Sequence, residues 1–279
     1  MLRLARRLLG RAPNTESAEG GVHSTPEPSQ AYNLLWLSPR FARERGSQYY
    51  DPIPEKTVVN MLNIAQRNPQ ADVRLWVDSQ RLTEQQMQFL REICGRSGGN
   101  LSIQDLRTVP EYSQTSLFNR SDTSGNWRAD KQSLIWRQVD AAKLLICLQG
   151  DYDQVFFSDA DITNLTIASP EVQGRMTKHG IIMGGGVRED NGSAWFENQM
   201  FGFDRRWTSF FRNLYETTVR DVSMRGENGW NAFIDLTNRD LRSRVDAREI
   251  VYRCEHDGTI AMHPGEQMYS YNSGERQRF

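Results

Sequence analysis

The chain has 279 residues, 38% of them hydrophobic and 25% charged, with a net charge of -1. This suits a soluble α/β domain, alone or with appendages, and a charge so near zero gives no field that would draw in nucleic acid. The three cysteines, Cys94, Cys147 and Cys254, lie far apart without CxxC spacing, which argues against a zinc site or disulfide framework and for a reducing compartment; no apolar run approaches the roughly 18 residues of a membrane span.

Residues 1–12, MLRLARRLLGRA, interleave leucine with arginine and contain no acid. They read either as a short basic amphipathic helix, suited to targeting or to weak contact with an anionic membrane, or as a frayed end. No apolar core follows the charges, so no signal peptide is expected. Residues 1–30 as a whole form a basic segment and a Pro/Ser/Glu/Gly-rich linker, expected to be disordered, ahead of a domain spanning 31–279. Residues 33–37 form the first predicted strand. A helix opens at Pro54 and ends at Asn68-Pro69, and 73–78 form a second strand. Thr83 N-caps a helix to about Cys94, and 101–106 form a third strand. This βαβαβ order predicts parallel strands and a nucleotide-binding half-sheet. Residues 107–131 read as a long loop. A helix over 133–148 places Asp140 and Lys143 three apart, as surface neighbours. Two readings stand for this pair: an exposed ion pair, or Asp140 facing a pocket.

The stretch Val155-Phe156-Phe157-Ser158-Asp159-Ala160-Asp161-Ile162 carries the chemistry. An apolar, aromatic run reads as a buried strand, and ligands of open α/β sheets bind beyond the carboxyl ends of strands. Two acids there repel each other and lose solvation unless a cation joins them, which points to Mg²⁺ or Mn²⁺ held together with a diphosphate. The competing reading is a solvated turn. A loop follows, then a strand at 181–183 running into Gly184-Gly185-Gly186, which either admits a ligand close to the backbone or makes a turn. Residues 193–203 mix aromatic rings with amides and Glu197, a combination that suits a sugar, with helix or core packing as the alternative. Helices are expected at 207–224 and 229–235, and a last strand at 250–254. In the aperiodic tail, His263 or Glu266 on a closing loop would complete a metal shell.

Taken in order, Asn33-Leu34-Leu35-Trp36, Val73-Arg74-Leu75-Trp76-Val77-Asp78, Val139-Asp140-Ala141-Ala142-Lys143 and Phe156-Phe157-Ser158-Asp159-Ala160-Asp161 resemble GT-A glycosyltransferases over roughly residues 32–165. The nearest branch contains the large clostridial glucosylating toxins, related bacterial effectors and DxD sugar-binding enzymes. The resemblance implies a GT-A-like α/β fold with a mostly parallel central sheet flanked by helices. It implies that Trp36 stacks on the nucleotide base and that Asp140 bonds donor-sugar hydroxyls. Asp161 would bind the metal directly, and Asp159 the ribose or the metal through water. Lys143 falls where the family commonly has Arg, which weakens a bidentate contact. Tyr269–Asn272, with Tyr271, stands in for the family's Ser-x-Trp closing loop, and Leu148–Asp153 replaces its Gly-Gly-x-Tyr segment.

The implied activity is a metal-dependent, retaining glycosyltransferase using a UDP-sugar with Mn²⁺ or Mg²⁺, with Glu197 as a weak candidate second carboxylate. The branch leads to a protein acceptor, with glycan or lipid left open, and to a cytoplasmic protein or one a bacterium secretes into a host cell. Two alternatives remain. A sugar nucleotidyltransferase would want a glycine-rich basic loop after the first strand, where Ser38–Gly46 offers arginines but few glycines. A degenerate nucleotide-sugar-binding module engaging a partner protein draws support from the two departures above.

Overall fold

The computed structural model describes residues 29–37, 53–119, 138–225, 237–258 and 260. Seven strands make one sheet: β1 (Gln30–Trp36), β2 (Asp72–Val77), β3 (Leu101–Asp105), β4 (Gln154–Ser158), β5 (Ile181–Val187), β6 (Ala194–Asp204) and β7 (Val251–Tyr252). Their order is β3-β2-β1-β4-β6-β5-β7. β1 pairs in parallel with β2 and β4, and β2 with β3, as the βαβαβ reading requires. β6 runs antiparallel to both of its neighbours, and β5 pairs in parallel with β7. The fold class is therefore the expected one, α/β with a mostly parallel central sheet.

Alternation along the strands sorts the side chains to two faces. Tyr32, Leu34 and Trp36 of β1 join Val73, Leu75 and Val77 of β2 and Phe156 of β4 on one face. There they pack against α1 (Glu55–Arg67), α2 (Glu84–Gly95) and α4 (Pro170–His179), through Met61, Ile64, Met87, Leu90, Val172 and Met176. Leu35, Trp76, Val155 and Phe157 face the other way, against α3 (138–147) and α5 (Thr208–Arg225). Phe157, Phe201, Phe211 and Phe203 form a continuous ring stack with centroid spacings of 5.4, 5.3 and 4.0 Å, which ties β4 and β6 to α5.

Local chemistry sets the element ends. Thr83 caps α2 through a reciprocal box with Gln86, both bonds at 3.1 Å. Several expectations are corrected. Residues 106–119 form short helical turns rather than open loop: Asp105 caps the first through the Arg107 amide, and Pro110 begins the next. α4 occupies what reads as loop, because its buried face is only Val172 and Met176, while Ser169 and Pro170 supply the start signal. Residues 193–203 lie mostly in the 11-residue strand β6. The acidic strand stops at Ser158, so both aspartates lie in the turn beyond it. The last strand shrinks to Val251–Tyr252, preceded by a helical turn at Ala247–Ile250. The expected helix at 229–235, the segment 1–28 and the tail from 261 lie outside the described residues.

Candidate functional site

The site is built at the carboxyl end of β4. Phe156 and Phe157 are fully buried, so the chain must leave the sheet before it can carry charge, and it turns at Asp159-Ala160-Asp161. The turn is pinned on every side. The Asp159 amide donates to the Gln199 carbonyl at 2.7 Å, and the Ile162 amide to the Asp159 carbonyl at 3.2 Å. The Asp257 amide donates to the Asp161 carbonyl at 3.0 Å, and Ile162 bridges to His256. Both carboxylates end up buried, at 4% and 1% exposure.

Across from the turn, α3 presents Asp140 and Lys143 inward. The pair is not the exposed ion pair of the simpler reading: Lys143 is 2% exposed and Asp140 8%. Lys143 Nζ stands 2.9 Å from Asp159 Oδ1 and 3.9 Å from Asp140 Oδ1, above the Phe157 ring. Asn198 Nδ2 donates to Asp140 Oδ1 at 2.8 Å. His256 Nδ1 lies 3.2 Å from Asp161 Oδ2.

β6 reaches the site because its register against β5 slips. Gly185 pairs with Phe196, whereas Met183 pairs with Phe201 and Met200 stays in register with Ser158, so residues 197–199 bulge at the acidic end. The glycine cluster makes this possible by admitting another strand rather than a ligand. A Cβ at Gly185 would overlap the Trp195 carbonyl oxygen, and one at Gly184 would stand 3.0 Å from the Met200 carbonyl oxygen. The bulge delivers Asn198 and Glu197.

Among the described residues, four carboxyl groups thus share this end of the sheet with one lysine and one histidine. Burial pushes Asp159 up to about 7, with Lys143 opposing and Asp161 reinforcing. Burial pushes Asp140 up to about 6 against the pull of Lys143 and the Asn198 hydrogen bond. Burial also raises Glu197, with His256 opposing and Asp161 reinforcing. The hydrogen bond to Asp161 raises His256. Among the described residues these groups hold more acid than base.

The donor set fits a hard divalent ion. Asp161 Oδ1 is buried and has no hydrogen-bond partner among the described residues, while its Oδ2 takes His256. Among the described residues no three His, Cys, Asp or Glu side chains gather into a full metal cage.

Of the sequence-derived candidates, Asp140, Lys143, Asp159, Asp161 and Glu197 come together. Trp36 does not join them as a base platform. It is 1% exposed, on the face covered by α1 and α2, so its ring has no open side for a base to stack on. His263, Glu266 and Tyr271 lie outside the described residues. Asn198 and His256 were missed as individual residues. Asn198 lies inside the mixed aromatic-amide stretch, and His256 sits in the polar run Glu255-His256-Asp257, which follows Arg253-Cys254 after the strand pair Val251-Tyr252.

No protein-family model matches the chain, and no curated protein does. Solved structures do. The chain is similar to the PaToxG glycosyltransferase at 15% identity and a TM-score of 0.49, over 90% of this chain and 78% of that one. It is similar to apo mouse xyloside xylosyltransferase 1 at 9% identity and a TM-score of 0.42, over 81% and 84% of the two chains. It is also similar to 4-diphosphocytidyl-2C-methyl-D-erythritol synthase from Anaerococcus prevotii, at 12% identity and a TM-score of 0.39, over 89% and 97%. These are likenesses of chain path, and the chemistry is read from the site's own residues. Among the described residues no helix is long and apolar enough to cross a membrane.

Proposed function

We propose that this protein is a GT-A-like, metal-dependent glycosyltransferase that moves a sugar from a nucleotide-diphosphate sugar to an acceptor. The observation that carries the reading is the buried Asp161 carboxylate, one oxygen of which has no partner among the described residues, inside a cluster where those residues hold more acid than base at a strand's carboxyl end. Asp161 would hold Mn²⁺ or Mg²⁺, with Asp159 alongside. The bound ion would neutralise the charge that builds on the departing nucleoside diphosphate. Asp140 is held by Asn198 and Lys143 in one orientation, so its carboxylate is preorganised to accept hydrogen bonds from donor-sugar hydroxyls. Lys143 supplies fixed positive charge between the two acids as the diphosphate arrives. Glu197 stands near Asp161 and His256 as a second carboxylate. Preference for a UDP-sugar, retention of configuration and a protein acceptor follow from the sequence resemblance and belong to the same proposal.

One observation favours a second reading, a module that binds a nucleotide sugar without turning it over. Lys143 already neutralises Asp159 at 2.9 Å, as a site without metal would require. Mn²⁺-dependent hydrolysis of a panel of nucleotide sugars separates the two. The transferase reading expects one donor to be hydrolysed by the wild type, with the anomer of the released sugar reporting retention or inversion. It expects the rate to fall at least about a hundredfold in Asp161→Ala. No turnover of any donor by the folded protein, with nucleotide-sugar binding intact, would establish the binding module instead.

A further inference from the structure

The Asp159–Asp161 turn is held from outside the site by one helix. Asn60 of α1 is 4% exposed and sends its amide nitrogen to two backbone carbonyls, Ala160 O at 2.6 Å and Ile162 O at 3.2 Å. These two carbonyls flank Asp161 on either side. Farther along α1, Arg67 donates to the Thr163 carbonyl, and Asn68 bonds Leu165 O at 3.4 Å and accepts from the Ile167 amide at 2.8 Å. The helix therefore runs beside the chain from 160 to 167, but among the described residues only the Asn60 side chain grips the peptides on both sides of the Asp161 carboxylate.

We infer that Asn60 is a positioning residue for cation binding: by fixing the carbonyls of Ala160 and Ile162 it holds the Asp161 carboxylate in the orientation that receives the ion. The inference rests on the metal-dependent reading above. Asn60 touches neither the ion nor the nucleotide. Its contribution is to remove the turn's freedom before the ion arrives, so that binding need not order it. A buried carboxylate with a free lone pair and a fixed backbone is a stronger ligand than one that must be collected from several orientations, and partners one layer behind metal ligands typically matter 10- to 100-fold in affinity. An amide is suited to the task because one NH₂ carries two donors for two acceptors. Aspartate at this position has the same shape and no donor at neutral pH, and serine keeps one donor.

The test is a Mn²⁺ titration followed by electron paramagnetic resonance, with and without UDP, on wild type, Asn60→Ala, Asn60→Asp, Asn60→Ser and Asn68→Ala. Melting temperature is measured on each. The expected result is a 10- to 100-fold loss of Mn²⁺ affinity in Asn60→Ala and Asn60→Asp, with a smaller loss in Asn60→Ser. Asn68→Ala removes a brace of the same helix that does not flank Asp161, so it should lower the melting temperature and change affinity less than about twofold. Equal affinity loss in the Asn68 and Asn60 variants would overturn positioning in favour of general support of the turn. Wild-type affinity in folded Asn60 variants would overturn it alone, leaving the metal-dependent reading standing. Absence of Mn²⁺ binding by the wild type, with and without UDP, would overturn both. Asn60→Ser retains one donor, so a folded variant remains for the titration if the harsher substitutions unfold.

Discussion

Among the described residues, Asp78 at the end of β2 meets two guanidinium groups, with Asp105 bonded to the Arg107 amide beside it, whereas at the end of β4 four carboxyl groups meet one ammonium and one imidazole. Asp78 is 1% exposed and fully occupied. Arg107 grips it with two bonds, at 2.8 and 2.6 Å, Arg81 Nε lies 3.0 Å away, and Tyr112 donates at 2.9 Å. Arg81 in turn donates to Gln138 and to the Phe118 carbonyl, and so joins β2, the turns at 106–119 and the start of α3. Burial works to raise Asp78, but the Arg107 hydrogen bond and the two guanidinium charges outweigh it and hold the carboxyl below its usual range. At the other cluster burial wins, and Asp140 and Asp159 titrate high. Both clusters are buried and ionic. The first is complete in itself, which marks it as architecture. The second holds more acid than base among the described residues, and the proposed function places a ligand there.

The largest expected effect comes from breaking the complete cluster. Asp78→Ala leaves Arg81 buried without its acid and should cost about 3–5 kcal/mol, read as a drop in the denaturant midpoint. The same kind of change at the incomplete cluster should have the opposite sign. Asp140→Asn keeps an acceptor for Asn198 and leaves Lys143 its partner Asp159, while removing a carboxylate that burial disfavours. It should gain about 1–2 kcal/mol at pH 8 while lowering transferase activity. Destabilisation by Asp140→Asn would mean that the second cluster is architecture too.

The difference between the clusters was only half legible in the sequence. The acids at 159 and 161 follow a clean apolar run, and Asp140 and Lys143 share a helix face, so local pattern names them as candidates, but only the resemblance to a family joins them into one site, and a solvated turn and an exposed ion pair stay open until the chain is folded. The sheet up to β4 followed from the same periodicity. Asn198 and His256 depend on a register slip in β6 and a bridge to Ile162, which are long-range pairings that no local pattern encodes. Trp36 shows the converse limit. Strand alternation places it opposite Leu35 and Leu37, but whether that face is open or covered is decided by α1 and α2. Asp78 read as a strand end, because its partners Arg81, Arg107 and Tyr112 converge only in the folded chain.

pH should separate the clusters by sign. Asp78 has a folded-state pKa below its unfolded value, so its contribution is present above about pH 4 and is lost as pH falls further. Asp140 and Asp159 have folded-state values of about 6 and about 7, above the unfolded value near 4. The folded state then holds protons that the unfolded state has released, so the metal-free protein should lose stability as pH rises from about 4 to about 7. Denaturant titrations across pH 3–8 should show a maximum on the acid side of neutrality for the wild type. In Asp140→Asn the descending limb should be shallower and the acid limb unchanged.

The smallest effect calibrates the rest. Arg175 and Glu171 on α4 stand 3.0 Å apart, nearly the 2.9 Å of Lys143 and Asp159, but their side chains are 25% and 56% exposed against 3% and 3%. Water screens the first pair, and long side chains lose entropy in forming it, so a double-mutant cycle on Arg175 and Glu171 should return about 0.3–0.5 kcal/mol. The same cycle on Lys143 and Asp159 should return several times more, because removing either partner alone strands a buried charge. Salt separates the two further: raising ionic strength should erase the α4 coupling and leave the Lys143–Asp159 coupling nearly intact. Mn²⁺ with UDP should lower the buried coupling, since an ion beside Asp159 competes with Lys143 for that carboxylate, while the α4 pair stays unmoved. A buried coupling as small as the surface one would mean that Lys143 is not what balances Asp159.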